Sequence, residues 1–176
     1  TGTNCQNATL AGTGVYYIRR IRMPGALGGA GGVVNLIVEQ NITLDTTNKY
    51  AFTCAYNSAA TDNYSITINA GKVVTIAGAS SYIHSNTATV GNYAYNINGT
   101  LDLSASVQTS TFLTAFSPTG GVINFNINGA LKTGAAFNSS PLAPSVTNVT
   151  IGNGVAVDAT LPTTINLHGN SLLLSG

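Results

Sequence analysis

Apolar residues in this chain come in short runs, many of them alternating with Asn, Thr or Ser. Tyr64-Ser65-Ile66-Thr67-Ile68, Tyr93-Ala94-Tyr95-Asn96-Ile97 and Val122-Ile123-Asn124-Phe125-Asn126-Ile127 alternate in this way. Period-two alternation is the mark of a strand with one face buried. Val33-Val34-Asn35-Leu36-Ile37-Val38, Val73-Val74-Thr75-Ile76, Leu101-Asp102-Leu103, Val149-Thr150-Ile151, Val155-Ala156-Val157 and Ile165-Asn166-Leu167 read as further strands. Apolar spacing of three and four never persists, and Glu, Lys and Gln are scarce, so the pattern predicts no helix.

The punctuation is regular. Ile68-Asn69-Ala70-Gly71, Ile97-Asn98-Gly99, Ile127-Asn128-Gly129, Ile151-Gly152-Asn153-Gly154 and Leu167-His168-Gly169-Asn170 each set Asn and Gly after a strand end. Both residues tolerate positive φ, so a sharp change of direction is expected there. Short strands follow at Val73 to Ile76, Leu101 to Leu103, Ala130-Leu131, Val155 to Val157 and Leu172 to Leu174. Asn-Gly between strands is also a hairpin signal, which favours antiparallel pairing. The spacing weighs against it. Ile68 and Ile97 are 29 residues apart, Ile97 and Ile127 30, and Ile127 and Ile151 24. Ile151 and Leu167 are only 16 apart, which fits poorly unless strand-turn-strand recurs within one repeat. A unit of about 20–50 residues marks a repeat architecture.

The expected fold is therefore all-β: a right-handed parallel β-helix or solenoid with an N-terminal cap or arm. The alternative is an antiparallel β-sandwich or jelly roll of pilin type. In the solenoid, Ile68, Ile97, Ile127 and Ile151 would form one stacked column. Asn69, Asn98, Asn128 and Asn153 would form an amide ladder at the corners, or else each would serve only its own turn. Residues 1–32, with the glycine-rich run 25–32, form the cap or arm, and 33–176 the body, continued or completed by another chain. The glycine run has no Walker lysine and no strand–helix context, so it is not a phosphate loop.

Charge changes the picture. Only 6% of the 176 residues are charged, against about 25% in ordinary domains. The net charge is +1 and the mean hydropathy +0.23, which argues against disorder. A surface wetted by Asn, Thr, Ser and Gly belongs outside the cell, so the expected location is extracellular or at the cell surface. No apolar run of about 18 residues exists, so no membrane span is expected. Nor is there a nucleic-acid footprint. Arg19, Arg20 and Arg22 are the one basic cluster; they read as charges protecting an edge strand, or as an anion or acidic-glycan contact. Cys5 and Cys54 fit one disulfide in an oxidising compartment, or two buried thiols.

Chemistry for catalysis is sparse. The carboxylates are Glu39, Asp45, Asp62, Asp102 and Asp158. No short motif pairs two of them as glycoside hydrolysis requires, although Asp102 and Asp158 each read as lying on a post-turn strand and could share a face of stacked repeats. His84 and His168 read as surface or turn residues, and no nucleophile elbow or metal motif is present. No cofactor and no catalytic residue is expected. Tyr16, Tyr17, Tyr50, Tyr56, Tyr64, Tyr82, Tyr93 and Tyr95 are either cross-strand packing or platforms for sugar rings. Six sequons, at Asn7, Asn41, Asn63, Asn98, Asn138 and Asn148, are candidate glycosylation sites, some of which would carry glycans in a host that modifies Asn; Pro141 lies near the fifth. The chain starts at Thr1 and stops soon after Leu172-Leu173-Leu174, which reads as a piece of a longer protein or a subunit completed elsewhere.

The stretches 65–78, 95–103 and 149–157 resemble rungs of β-helical bacterial surface proteins, the adhesins of gliding Bacteroidota and autotransporter passenger domains. The resemblance covers roughly residues 64–176. It implies an exported stalk, adhesin or carbohydrate-binding module, with copies of itself, the rest of a surface protein or glycans as partners. The competing classes are a donor-strand pilin subunit forming a filament and a β-helical polysaccharide-binding or -cleaving protein.

Overall fold

The computed structural model describes residues 5–14, 16–18, 21–24, 33–45, 50–56, 63–78, 82–86, 92–105, 122–132, 137–138, 146–152, 158–160, 165–166 and 171–174. All regular elements among them are strands. They recur as repeats. The first holds β1 (Cys5–Leu10), β2 (Tyr16–Ile18) and β3 (Ile21–Pro24). The second holds β4 (Val33–Val38), β5 (Ile42–Asp45) and β6 (Tyr50–Tyr56). The third holds β7 (Asn63–Ile68), β8 (Val73–Ala77) and β9 (Tyr82–Asn86). Then come β10 (Asn92–Ile97) and β11 (Thr100–Asp102). The fifth holds β12 (Val122–Ile127), β13 (Ala130–Lys132) and β14 (Phe137–Asn138). The sixth holds β15 (Val146–Ile151), β16 (Asp158–Thr160) and β17 (Ile165–Asn166), and β18 (Ser171–Leu174) follows.

The first strands of the repeats form a seven-stranded sheet, β1-β4-β7-β10-β12-β15-β18. The second strands form a six-stranded sheet, β16-β13-β11-β8-β5-β2. Third strands pair as β3-β6-β9 and as β14-β17. Every pairing among the described residues is parallel. The antiparallel sandwich is therefore overturned. The strands on either side of Asn98-Gly99 and of Asn128-Gly129 enter different sheets, so these steps turn a corner instead of closing a hairpin.

Alternation decides which face is buried. In β4, Val34, Leu36 and Val38 are buried, and Val33, Asn35 and Ile37 are half-buried on the other face. Register carries this pattern from repeat to repeat. Val38, Ile68, Ile97 and Ile127 stand opposite one another and are each at most 1% exposed. Ile151 continues this register, and its next partner is Leu174. Ile68, Ile97, Ile127 and Ile151 thus share one row of the sheet.

Leu174 corrects the reading of the last repeat. The step from Ile151 is 23 residues, not the 16 that reach Leu167, which lies outside the described residues. Leu172 to Leu174 belong to the seven-stranded sheet, not to a post-turn strand. The post-turn strand of the sixth repeat is β16, pairing with β13, while Val155 to Val157 lie outside the described residues. An apolar triplet has the same pattern in either sheet, and only pairing partners separate the two.

Two neighbouring rows carry aromatic residues, one Tyr64 and Tyr93, the other Tyr95 and Phe125. Tyr64 and Tyr93 stack with centroids 5.4 Å apart, and Tyr95 and Phe125 stack at 4.5 Å. Phe52 of β6 meets Tyr95 edge-on at 5.7 Å. The inner faces of the seven-, six- and three-stranded sheets thus share one apolar cluster, including Leu36, Ile42, Phe52 and Leu131. Residues 1–32, expected as a cap or arm, contribute β1, β2 and β3, which pair in parallel with β4, β5 and β6.

Candidate functional site

The corners between the two large sheets stack by a repeated backbone bond. The first residue after the strand donates its N–H to the last strand carbonyl of the preceding repeat. Asn69 N reaches Val38 O at 3.0 Å, Asn98 N reaches Ile68 O at 2.9 Å, Asn128 N reaches Ile97 O at 2.9 Å and Gly152 N reaches Ile127 O at 2.9 Å. Glu39, Asn69, Asn98, Asn128 and Gly152 are therefore equivalent. Among the expected ladder positions, Asn128 Nδ2 donates to Asn98 Oδ1 at 3.1 Å, while Asn69 Nδ2 donates to Glu39 Oε1 at 3.1 Å. In the sixth repeat the equivalent residue is Gly152, one residue before Asn153, which lies outside the described residues.

The corner glycines divide into two kinds. Gly71 and Gly152 have φ of 74° and 95°, a conformation L residues rarely adopt. Gly99 and Gly129 are not in that region. There the constraint is the repeat beneath. A Cβ on Gly99 would fall well inside 3.0 Å of Lys72 O and Asn69 O, and one on Gly129 would do the same at Gly99 O and Asn98 O. The positive-φ explanation of Asn-Gly is thus corrected at these two corners: glycine is needed because backbone stacks on backbone.

The outer face of the seven-stranded sheet carries amides in rows. Strands about 4.8 Å apart bring side chains of successive repeats within hydrogen-bond reach. Asn92 Nδ2 donates to Asn63 Oδ1 at 3.0 Å, and Asn126 Nδ2 donates to Asn96 Oδ1 at 3.0 Å. Ser65 Oγ donates to Asn35 Oδ1 at 2.6 Å. The sequence pattern points to a ladder at the corners and does not single out these pairs, although their spacings of 29 and 30 residues are the repeat length itself.

The central outer row holds Asn35, Ser65, Ala94 and Asn124, and the backbone register continues it to Asn7 on one side and to Asn148 and Ser171 on the other. At Ser65 and Ala94 the row drops in height between longer Asn side chains. The result is a depression of about 220 Å³ lined by Val33, Asn35, Asn63, Tyr64, Ser65, Asn92, Tyr93, Ala94 and Asn124. None of these residues is charged.

Other sequence candidates are dispersed. Asp102 on β11 accepts hydrogen bonds from Ser104 N at 3.0 Å and Ser104 Oγ at 2.5 Å. Asp158 lies in the same sheet, with β13 between, in register with Thr100 instead of Asp102. Their Cα atoms are roughly 12 Å apart from the strand spacing and rise, so the register does not bring the two together. Glu39 is exposed beside Asn69, Asp45 ends β5, and Asp62 lies outside the described residues. His84 stands opposite Phe52 on β9, and His168 lies outside the described residues. Arg22 is on β3, an edge strand; Arg19 and Arg20 lie outside the described residues. Cys5 on β1 and Cys54 on β6 occupy adjacent repeats but different sheets.

Tyr64, Tyr93 and Tyr95 are at most 2% exposed, so their rings are core and not platforms for sugars. Tyr16 and Tyr17 are 47% and 78% exposed. Tyr50, Tyr56 and Tyr82 lie on β6 and β9. Of the sequon residues, Asn41, Asn63 and Asn98 are exposed; Asn7, Asn138 and Asn148 lie on β1, β14 and β15. Asn41 also braces the next repeat, because its Oδ1 accepts the Val73 N–H at 2.9 Å. No helix among the described residues is long and apolar enough to cross a membrane. Compared with protein-family models, curated proteins and solved structures, the chain matches none.

Proposed function

We propose that the chain is an extracellular structural or adhesive segment of a cell-surface protein or fibre, wound as a right-handed parallel β-solenoid. One observation carries this reading: successive repeats stack in register, with the buried row Val38, Ile68, Ile97 and Ile127 inside and uncharged amide rows outside. Such a body lengthens by adding repeats and presents an even, neutral surface. Right-handedness follows the strong preference of parallel crossover connections. The exposed sequon residues Asn41, Asn63 and Asn98 suit an exported protein.

A second reading is a fibre subunit completed by a strand of another copy. It is favoured by β2, where Tyr16 and Ile18 are 47% and 36% exposed, whereas their register partners Ile42 and Leu44 are buried. Electron microscopy of the protein from its native source tests both. Isolated rods or thin stalks are expected, lengthening by about 4.8 Å per repeat. Regular filaments with an axial repeat of one subunit would select the fibre-subunit reading over that of a segment of a larger surface protein. Compact particles with no long axis would sink both.

A further inference from the structure

The outer-face depression at Ala94 has a narrow chemistry. Its floor is Ala94 and Ser65, and its ends along the stack are Asn35 and Asn124. Those ends are three strand steps apart, about 14 Å. One side is the pair Asn63 and Asn92, whose mutual hydrogen bond fixes both amide planes. At about 220 Å³ the space is smaller than a usual drug-sized pocket, which suits a single ring.

We propose that this depression binds one neutral sugar residue of a glycan, an inference that rests on the adhesive reading above. Charge decides the class. A charged ligand would lose water and gain no counter-charge from the nine lining residues. A neutral polyol loses less, and the Asn63 and Asn92 amides carry both donors and acceptors. The bond from Asn92 Nδ2 to Asn63 Oδ1 uses one donor and one acceptor, so Asn63 N–H and Asn92 Oδ1 keep capacity for sugar hydroxyls. The C–H face of the ring rests on Ala94. Tyr64 and Tyr93 turn their rings into the core, so no aromatic platform adds to the contact, and binding is in the millimolar range. Specificity then comes from amides already held in place by their own ladder.

The test uses the whole chain produced without N-glycosylation, so that Asn63 carries no glycan of its own. Methyl glycosides of glucose, galactose, mannose, N-acetylglucosamine and N-acetylgalactosamine are titrated while backbone amide resonances are followed. At least one sugar is expected to give saturable shifts centred on Ser65, Ala94 and Asn124. Ala94→Leu fills the depression from a half-buried outer position, where the fold tolerates a larger side chain, and weakens binding by about tenfold or more. Asn92→Ala, which removes no volume from the core, also weakens it, and Thr75→Ala on the six-stranded sheet leaves it unchanged. If no sugar gives saturable shifts, the proposal is wrong, while the rod-like structural reading is judged separately by microscopy. If binding survives Ala94→Leu and its shifts centre on Tyr16 and Tyr17, the adhesive reading stands and this site does not.

Discussion

Replacing the corner glycines separates two physical reasons for glycine. Gly99 has an ordinary φ, so a methyl group there would by itself stabilise the chain by about 0.4–1 kcal/mol through the unfolded state. The stacked backbone reverses the sign. The new Cβ would overlap Lys72 O and Asn69 O, both backbone atoms that cannot swing aside. Overpacking of this kind costs about 1–3 kcal/mol. Relieving it lifts the corner and strains the bonds from Gly99 N to Ile68 O at 3.0 Å and from Thr100 N to Lys72 O at 2.8 Å, each worth roughly 1 kcal/mol. The net expectation for Gly99→Ala is a loss of about 2–4 kcal/mol, and Gly129→Ala behaves alike. Gly71 is the control. Nothing lies within 4 Å of its added Cβ, and its φ is 74°. Gly71→Ala therefore costs only the left-handed penalty of about 1–2 kcal/mol. Asn tolerates that conformation, so Gly71→Asn should cost less than Gly71→Ala, while Gly99→Asn should cost at least as much as Gly99→Ala. Urea unfolding with a shared m-value measures all of these variants. Stacked backbone is the wrong explanation if Gly99→Ala lies within about 0.5 kcal/mol of the parent, or if Asn rescues position 99 as it does position 71.

Three further outcomes are expected. Tyr95→Ala removes a buried ring held between Phe52 and Phe125 and should cost about 3–5 kcal/mol in the same assay; a loss below about 1 kcal/mol would mean that the aromatic row is not packed as described. Asn98→Ala and Asn128→Ala should show a coupling of roughly 0.5–1 kcal/mol in a double-mutant cycle, and strict additivity would deny the ladder bond between them. Under non-reducing conditions, intact-mass and peptide mapping should find Cys5 linked to Cys54; two alkylatable thiols in the native protein would exclude the disulfide.

All-β character, repeat length and the inward row are legible in the chain itself, because strand alternation and repeat spacing are local and periodic signals. Ile68, Ile97, Ile127 and Ile151 can be named together because each precedes a glycine-containing turn. Pairing is not legible there. Asn-Gly permits a hairpin as readily as a corner, and what separates them is the sheet that the next strand joins. For the same reason Leu174, and not Leu167, follows Ile151, and Gly152, not Asn153, takes the corner position. The role of Gly99 and Gly129 is hidden more deeply, since a Cβ collides there with a repeat about 30 residues earlier and not with its own neighbours. The depression at Ala94 is of the same kind: a small residue is ordinary in a strand and becomes a concavity only when Asn35, Ser65 and Asn124 are stacked beside it. The chain determines its strands and its period through local alternation; the contacts between repeats are long-range, so register, corner geometry and the outer surface are decided by the stacked structure alone.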